Sequence, residues 1–98
     1  MSAPLDRKKE SESFVYFMRS GDFVKIGPAK NVKARLSEHR TSNPIAEIVA
    51  TLDGGRTLER QLHQTFKNFR HDREFFRFEG TLKEYVEGIQ SNDLALVA

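Results

Sequence analysis

His39, His63 and His71 are the only histidines in the chain, and cysteine is absent. Those facts bound the metal chemistry before any fold is considered. Thiolate sites are excluded, and so are disulfide staples. Glu59 and His63 stand four residues apart on what reads as a helix, so both could reach one ion. Two ligands do not make a structural zinc site, which takes four. A magnesium- or manganese-type site asks for less. It can use one or two carboxylates and draw its other ligands from water and a substrate phosphate, and Glu59 alone could anchor it. A serine or cysteine hydrolase has no support, because no Gly-x-Ser-x-Gly is present and cysteine is missing. Phosphate-loop and dinucleotide fingerprints are missing too, and Gly54-Gly55 is an isolated turn.

The polar residues that remain fall at suggestive places. Tyr16 lies in a first strand and Lys25 in a second. Arg35 and His39 are one helical turn apart and share a face. Glu59 sits near the start of a second helix. Taken singly, each has an ordinary structural reading: a core tyrosine with a wet hydroxyl, an exposed strand lysine, a surface charge.

The elements that must position these residues follow from pattern. Phe14-Val15-Tyr16-Phe17-Met18 is a continuous run of strand formers. Ser20-Gly21-Asp22 is turn chemistry, and Phe23-Val24-Lys25-Ile26 resumes the apolar pattern, so the two runs predict a β-hairpin. Pro28 breaks the strand. Asn31 is placed to cap a helix over 32–40, with Val32 and Leu36 on its inner face. Ile45 to Leu52 predicts a third strand anchored by Ile45, Ile48, Val49 and Leu52, closed by the turn Asp53-Gly54-Gly55. Leu58, Leu62, Phe66 and Phe69 recur at three and four residues and predict a second helix over 56–68. A fourth strand is expected over 74–78. Thr81-Leu82-Lys83-Glu84 has capping-box form and opens a last helix to about Gln90. The fold class expected is α/β (α+β), a small mixed sheet led by an antiparallel hairpin and flanked by helices, in the order β-β-α-β-α-β-α. Residues 1–12 read as a flexible lead-in, 13–90 as one domain and 91–98 as a tail.

Charge is unevenly distributed. Residues 14–78 hold twelve basic and seven acidic side chains, whereas residues 79–98 hold one basic and four acidic. The positive excess sits on the segment expected to fold, and it biases that segment towards phosphate backbones. The sequence has no apolar run of about 18 residues, the length a membrane-spanning helix needs, and residues 1–13 lack the apolar segment of a secretory signal. A cytoplasmic setting is expected.

Five pieces occur in order: Val15-Tyr16-Phe17, Val24-Lys25-Ile26-Gly27, Arg35-Leu36, Glu59-Arg60-Gln61-Leu62-His63-Gln64-Thr65-Phe66, and Glu74-Phe75-Phe76. Together they resemble the GIY-YIG nuclease superfamily, and most closely its compact phage and bacterial branch, over roughly residues 14–78. Phe14 stands where the family has its first glycine, and Lys25 replaces the second motif's tyrosine, as in the compact branch. The family's asparagine after the second helix has no counterpart that Arg73-Glu74-Phe75-Phe76 supplies.

The resemblance implies a metal-dependent endonuclease that hydrolyses phosphodiester bonds in DNA, with RNA as a further substrate to test. Its cofactor would be Mg²⁺ or Mn²⁺, held by Glu59. Tyr16 would accept a proton from water once nearby cations lower its pKa, and Lys25 and Arg35 would supply those cations. Arg35 could also fork onto two phosphate oxygens. His39 would relay protons or bind phosphate, and His63 would order Glu59. Lys25, Lys33, Arg35, Arg40 and His63 are the expected nucleic-acid contacts. Nucleases of this kind commonly take their specificity from an attached domain, so a targeting partner protein is expected as well. Two other readings of the same scaffold stay open: a non-catalytic nucleic-acid-binding module and a protein-interaction domain. Retention of Tyr16, Arg35 and Glu59 together favours the enzyme, since binding alone has no need of a metal carboxylate.

Overall fold

In a computed structural model, residues 13–97 are described; the lead-in expected over 1–12 lies outside them. Strands β1 (Phe14–Ser20) and β2 (Phe23–Ala29) form the expected hairpin, joined through Gly21 at φ 63°. A two-residue connection of this kind needs positive φ, which glycine adopts without strain. Helix α1 (Val32–Arg40), strand β3 (Glu47–Asp53) and helix α2 (Arg56–Thr65) follow, then a 3₁₀ turn (Lys67–Phe69). Two three-residue strands, β4 (Arg70–Asp72) and β5 (Phe75–Arg77), precede helix α3 (Gly80–Val97). The strand order is β3-β1-β2-β5-β4.

The α/β class and the leading hairpin match the sequence reading; several details differ. Every neighbouring strand pair is antiparallel, so the sheet is not mixed. β4 is an added strand ahead of the expected one. β2 runs through Pro28, expected to break it, to Ala29. The proline falls beyond the stretch that pairs with β5, where its missing N–H costs no ladder bond. β3 starts at Glu47, and Ile45, expected to anchor it, is 70% exposed. The residue that goes inside there is Ala46, fixed by its N–H on the Asn43 carbonyl at 3.1 Å. The second helix stops at Thr65 and tightens into the 3₁₀ turn. The last helix begins at Gly80, so Thr81 lies inside its first turn instead of capping it, and the helix continues past Gln90 to Val97.

β1 is an interior strand, paired with β3 on one side and β2 on the other, and it is covered on both faces, which explains its unbroken apolar run. Val15 and Phe17 point to one side, where they meet Val24, Ile26, Leu62 and Phe66, Phe76, and Leu82 and Val86 of α3. Tyr16 and Met18 point to the other, against Ala29, Ala46 and the Val32–Leu36 face of α1. α1 itself buries no residue fully. Its start is secured by Asn31, whose Oδ1 accepts the Ala34 N–H at 3.0 Å.

Gly27 lies directly across the hairpin from Tyr16. The tyrosine is 1% exposed and its ring lies over the glycine; a Cβ on residue 27 would stand 2.8 Å from the hydroxyl. The glycine is therefore required by the space the ring occupies. Gly27→Ala should cost about 1–3 kcal/mol, the usual penalty for overpacking. In a Tyr16→Ala background the same substitution should cost far less. Urea unfolding of the four proteins in that cycle checks both expectations.

Candidate functional site

The alternation of β1 and β2 puts Tyr16, Lys25 and Gly27 on the face that α1 covers. From α1, His39 reaches down to this surface. Its Nε2 lies 3.2 Å from Lys25 Nζ and 3.3 Å from Tyr16 Oη. An ammonium can only donate, so Nε2 is the acceptor and the imidazole carries its proton on Nδ1. Burial, together with Lys25 and Arg35, holds the His39 pKa below its ordinary value, which keeps the ring neutral.

Tyr16 departs from the expectation that nearby cations lower its pKa. Arg35 does pull its pKa down, but loss of solvent outweighs that and Glu74, Glu59 and Glu38 oppose it, so the phenol is pushed up to about 12. At neutral pH it is a hydroxyl with a neutral imidazole beside it.

Arg35 and His39 part company despite their shared face. Arg35 Nη1 pairs with Glu38 Oε1 at 3.3 Å, with both side chains well exposed. Arg40 is committed elsewhere, its Nε donating to the Ala46 carbonyl at 2.9 Å. Lys33 is exposed and enters none of the ion pairs found among the described residues.

On α2, His63 donates from Nε2 to the Ile26 carbonyl at 2.9 Å and sets its ring edge-on to Phe76. It is thus the opposite tautomer to His39. Glu59, one turn earlier, lies 3.6 Å from the same Nε2, too long for a strong hydrogen bond but close enough to orient the carboxylate. That carboxylate is 17% exposed. No group of three or more His, Asp or Glu side chains able to hold an ion occurs among the described residues. The donor set fits a hard cation that takes one carboxylate and completes its shell with water and phosphate oxygen, and it does not fit a closed zinc site.

One member of the cluster carried no assignment in the sequence. Glu74 Oε1 stands 3.6 Å from Lys25 Nζ, and its backbone carbonyl accepts the Ile26 N–H at 3.1 Å. The pairing of Lys25 with Phe75 brings it there. Its only signal in the sequence is its place just ahead of Phe75-Phe76. Glu74 turns Lys25 into a bridge between a carboxylate and an imidazole.

A sequence model of the T5orf172 domain matches residues 13–91, most of the chain. The chain belongs to the T5orf172 domain family. This is a nuclease-like domain related to GIY-YIG. No match was found among curated proteins or among solved structures. The residues matched in this T5orf172 domain take in the hairpin, α1, α2 and the Glu74 segment, which are the elements that build the cluster. No helix among its described residues is long and apolar enough to cross a membrane.

The two perturbed groups give the T5orf172 domain a pH signature. Tyr16 has its pKa raised in the fold, so its contribution to stability is complete below the ordinary tyrosine value of 10.0 and is lost as pH rises through about 12. His39 has its pKa lowered, so its contribution is complete above the ordinary value of 6.5 and is lost as pH falls below it. Urea unfolding across pH should show Tyr16→Phe flattening the alkaline limb and His39→Gln flattening the acid limb, each without affecting the other.

Proposed function

We propose that this T5orf172 domain hydrolyses phosphodiester bonds in nucleic acid, DNA first, with Mg²⁺ or Mn²⁺ held at Glu59. The observation that carries the reading is the convergence of Tyr16 and Lys25 on one nitrogen of His39, with Arg35 and Glu59 near enough to act on the tyrosine's pKa. Such hydrolysis needs a proton acceptor, a cation on the phosphate and a carboxylate for the metal.

The bound ion would withdraw charge from the phosphate and make an attacking water more acidic. The remaining work falls to the side chains. Tyr16 is protonated at neutral pH, so it can take a proton at Oη only by passing its own to an acceptor. Neutral His39 is that acceptor, 3.3 Å away. While Lys25 donates to Nε2, the lone pair is occupied. A phosphate that drew the ammonium away would free Nε2 for the Tyr16 proton. Lys25 therefore serves first as a guard on the imidazole and then as a counter-charge. Arg35 is half-exposed and, among the described residues, pairs with Glu38, and an exposed pair of that kind is weak. Its guanidinium is available to fork onto phosphate oxygens as charge builds.

Three variants test the reading with single-stranded, duplex and branched DNA and with RNA, each with Mg²⁺ or Mn²⁺. Glu59→Ala should abolish cleavage and leave binding intact or stronger, because it removes negative charge near the phosphate. Arg35→Ala should weaken binding and slow cleavage about 100-fold to 1000-fold, the loss typical of one transition-state donor. Tyr16→Phe should keep its melting temperature near neutral pH and lose most of the activity. If Tyr16→Phe and Glu59→Ala cut like the parent, the proposed site is wrong. A parent that binds nucleic acid yet cuts none of these substrates with either metal would be a binding module on the same scaffold.

A further inference from the structure

Beyond the cluster, β2 runs on past Gly27 into a groove of about 440 Å³. Pro28, Ala29 and Ala34 line it together with Lys30, Arg35 and Arg56, and Glu38 is the one acidic side chain among its described lining residues. Lys30 leaves β2, Arg35 stands on α1 and Arg56 opens α2, so three separate elements each bring one cation. Lys30 and Arg56 are exposed, and none of the ion pairs among the described residues includes either. Arg35 is partly offset by Glu38, whereas the like charges of Lys30 and Arg56 repel unless an anion joins them, and low-dielectric walls strengthen the field they share.

We propose that this groove holds a second backbone phosphate of the nucleic-acid strand, beside the phosphodiester that Tyr16, Arg35 and Glu59 act on. The inference rests on the function proposed above and adds two residues, Lys30 and Arg56, that the sequence reading did not select. Arg35 is the link, since it borders the groove and also acts on the Tyr16 pKa. The volume falls in the range of about 300–1,000 Å³ that suits small ligands, which leaves room for a phosphate and its sugar. Alanine and proline offer the sugar an apolar contact. Among the described residues no aromatic ring lines the groove, so none of them offers a base a stacking surface there. The contact is therefore with the backbone, and it positions the strand without reading its sequence.

The test uses the full chain, without divalent metal, and measures binding of labelled oligonucleotides by fluorescence anisotropy over a range of salt. Lys30→Gln and Arg56→Gln should each weaken binding and lower the slope of log affinity against log salt by about one. The loss should be the same for unrelated sequences, and the melting temperature should not change, because both side chains are exposed. In parallel, amide shifts are followed by NMR on titration with an oligonucleotide and, separately, with inorganic phosphate. Shifts around Lys30 and Arg56 with the oligonucleotide support the proposal. If inorganic phosphate moves those amides and the oligonucleotide does not, the groove serves a free anion and the proposal fails. If the parent binds and the double variant binds equally with the same slope, the groove is overturned while the function proposed above stands. A parent that binds no nucleic acid overturns both.

Discussion

β5 pairs with β2 only from Phe23 to Lys25, so from Ile26 onward no strand among the described residues lies along the outer edge of β2. A buried carbonyl left bare there would cost about 1–3 kcal/mol. His63 supplies the missing donor, with Nε2 at 2.9 Å from the Ile26 oxygen. That single bond sets how far α2 advances along the sheet. Glu59 sits one turn before His63, so the same bond delivers a carboxylate to the edge where Tyr16 and Lys25 already stand. The Ile26 N–H, on the same side of the strand, goes to the carbonyl of Glu74 and brings a second carboxylate to the opposite flank. One residue's backbone thus organises both acids of the site, which is how backbone accounting becomes chemistry.

The electrostatics follow from that arrangement. Two histidines are held in opposite tautomers by unlike partners, a carbonyl for His63 and an ammonium for His39. One ring is committed to structure and the other keeps a basic nitrogen near a phenol. Burial makes Tyr16 a poor base alone, and it also packs the ring so closely over Gly27 that the hydroxyl has little freedom. A fixed hydroxyl with a neutral imidazole in reach is a better proton conduit than a mobile phenolate. Lys25, shared between His39 and Glu74, decides whether the conduit is open.

The sequence showed the hairpin and the apolar stripe of α2 because both are written in periodicity: an unbroken run for a strand covered on two faces, and Leu58, Leu62, Phe66 and Phe69 for a helix on a core. Ile45 misled because hydropathy alone cannot tell an anchor from an apolar residue left at a bend, and the small Ala46 beside it carried the burial. β4 had no legible pattern at all, since Arg70, His71 and Asp72 are all exposed. Among the site residues, Tyr16, Lys25, His39 and Glu59 were visible by type and position. Their mutual contacts were not, and neither was the balance that sends the Tyr16 pKa upward, because desolvation depends on the packing of α1 over the sheet. Glu74 was visible as part of a motif but carried no role, because its role arises from strand pairing across about fifty residues of sequence separation, where local pattern is silent.

β4 has a consequence of a different kind. The outer strand of an open sheet presents a ladder of unpaired backbone groups, and a long, flat, apolar one invites another chain to continue it. This strand is three residues long, bears Arg70, His71 and Asp72, and turns away at Arg73, whose φ of 52° no regular strand can follow. An incoming strand would meet charge, brevity and a bend at once. The residues that left no readable trace in the hydrophobic pattern thereby guard this edge of the sheet against continuation by another chain.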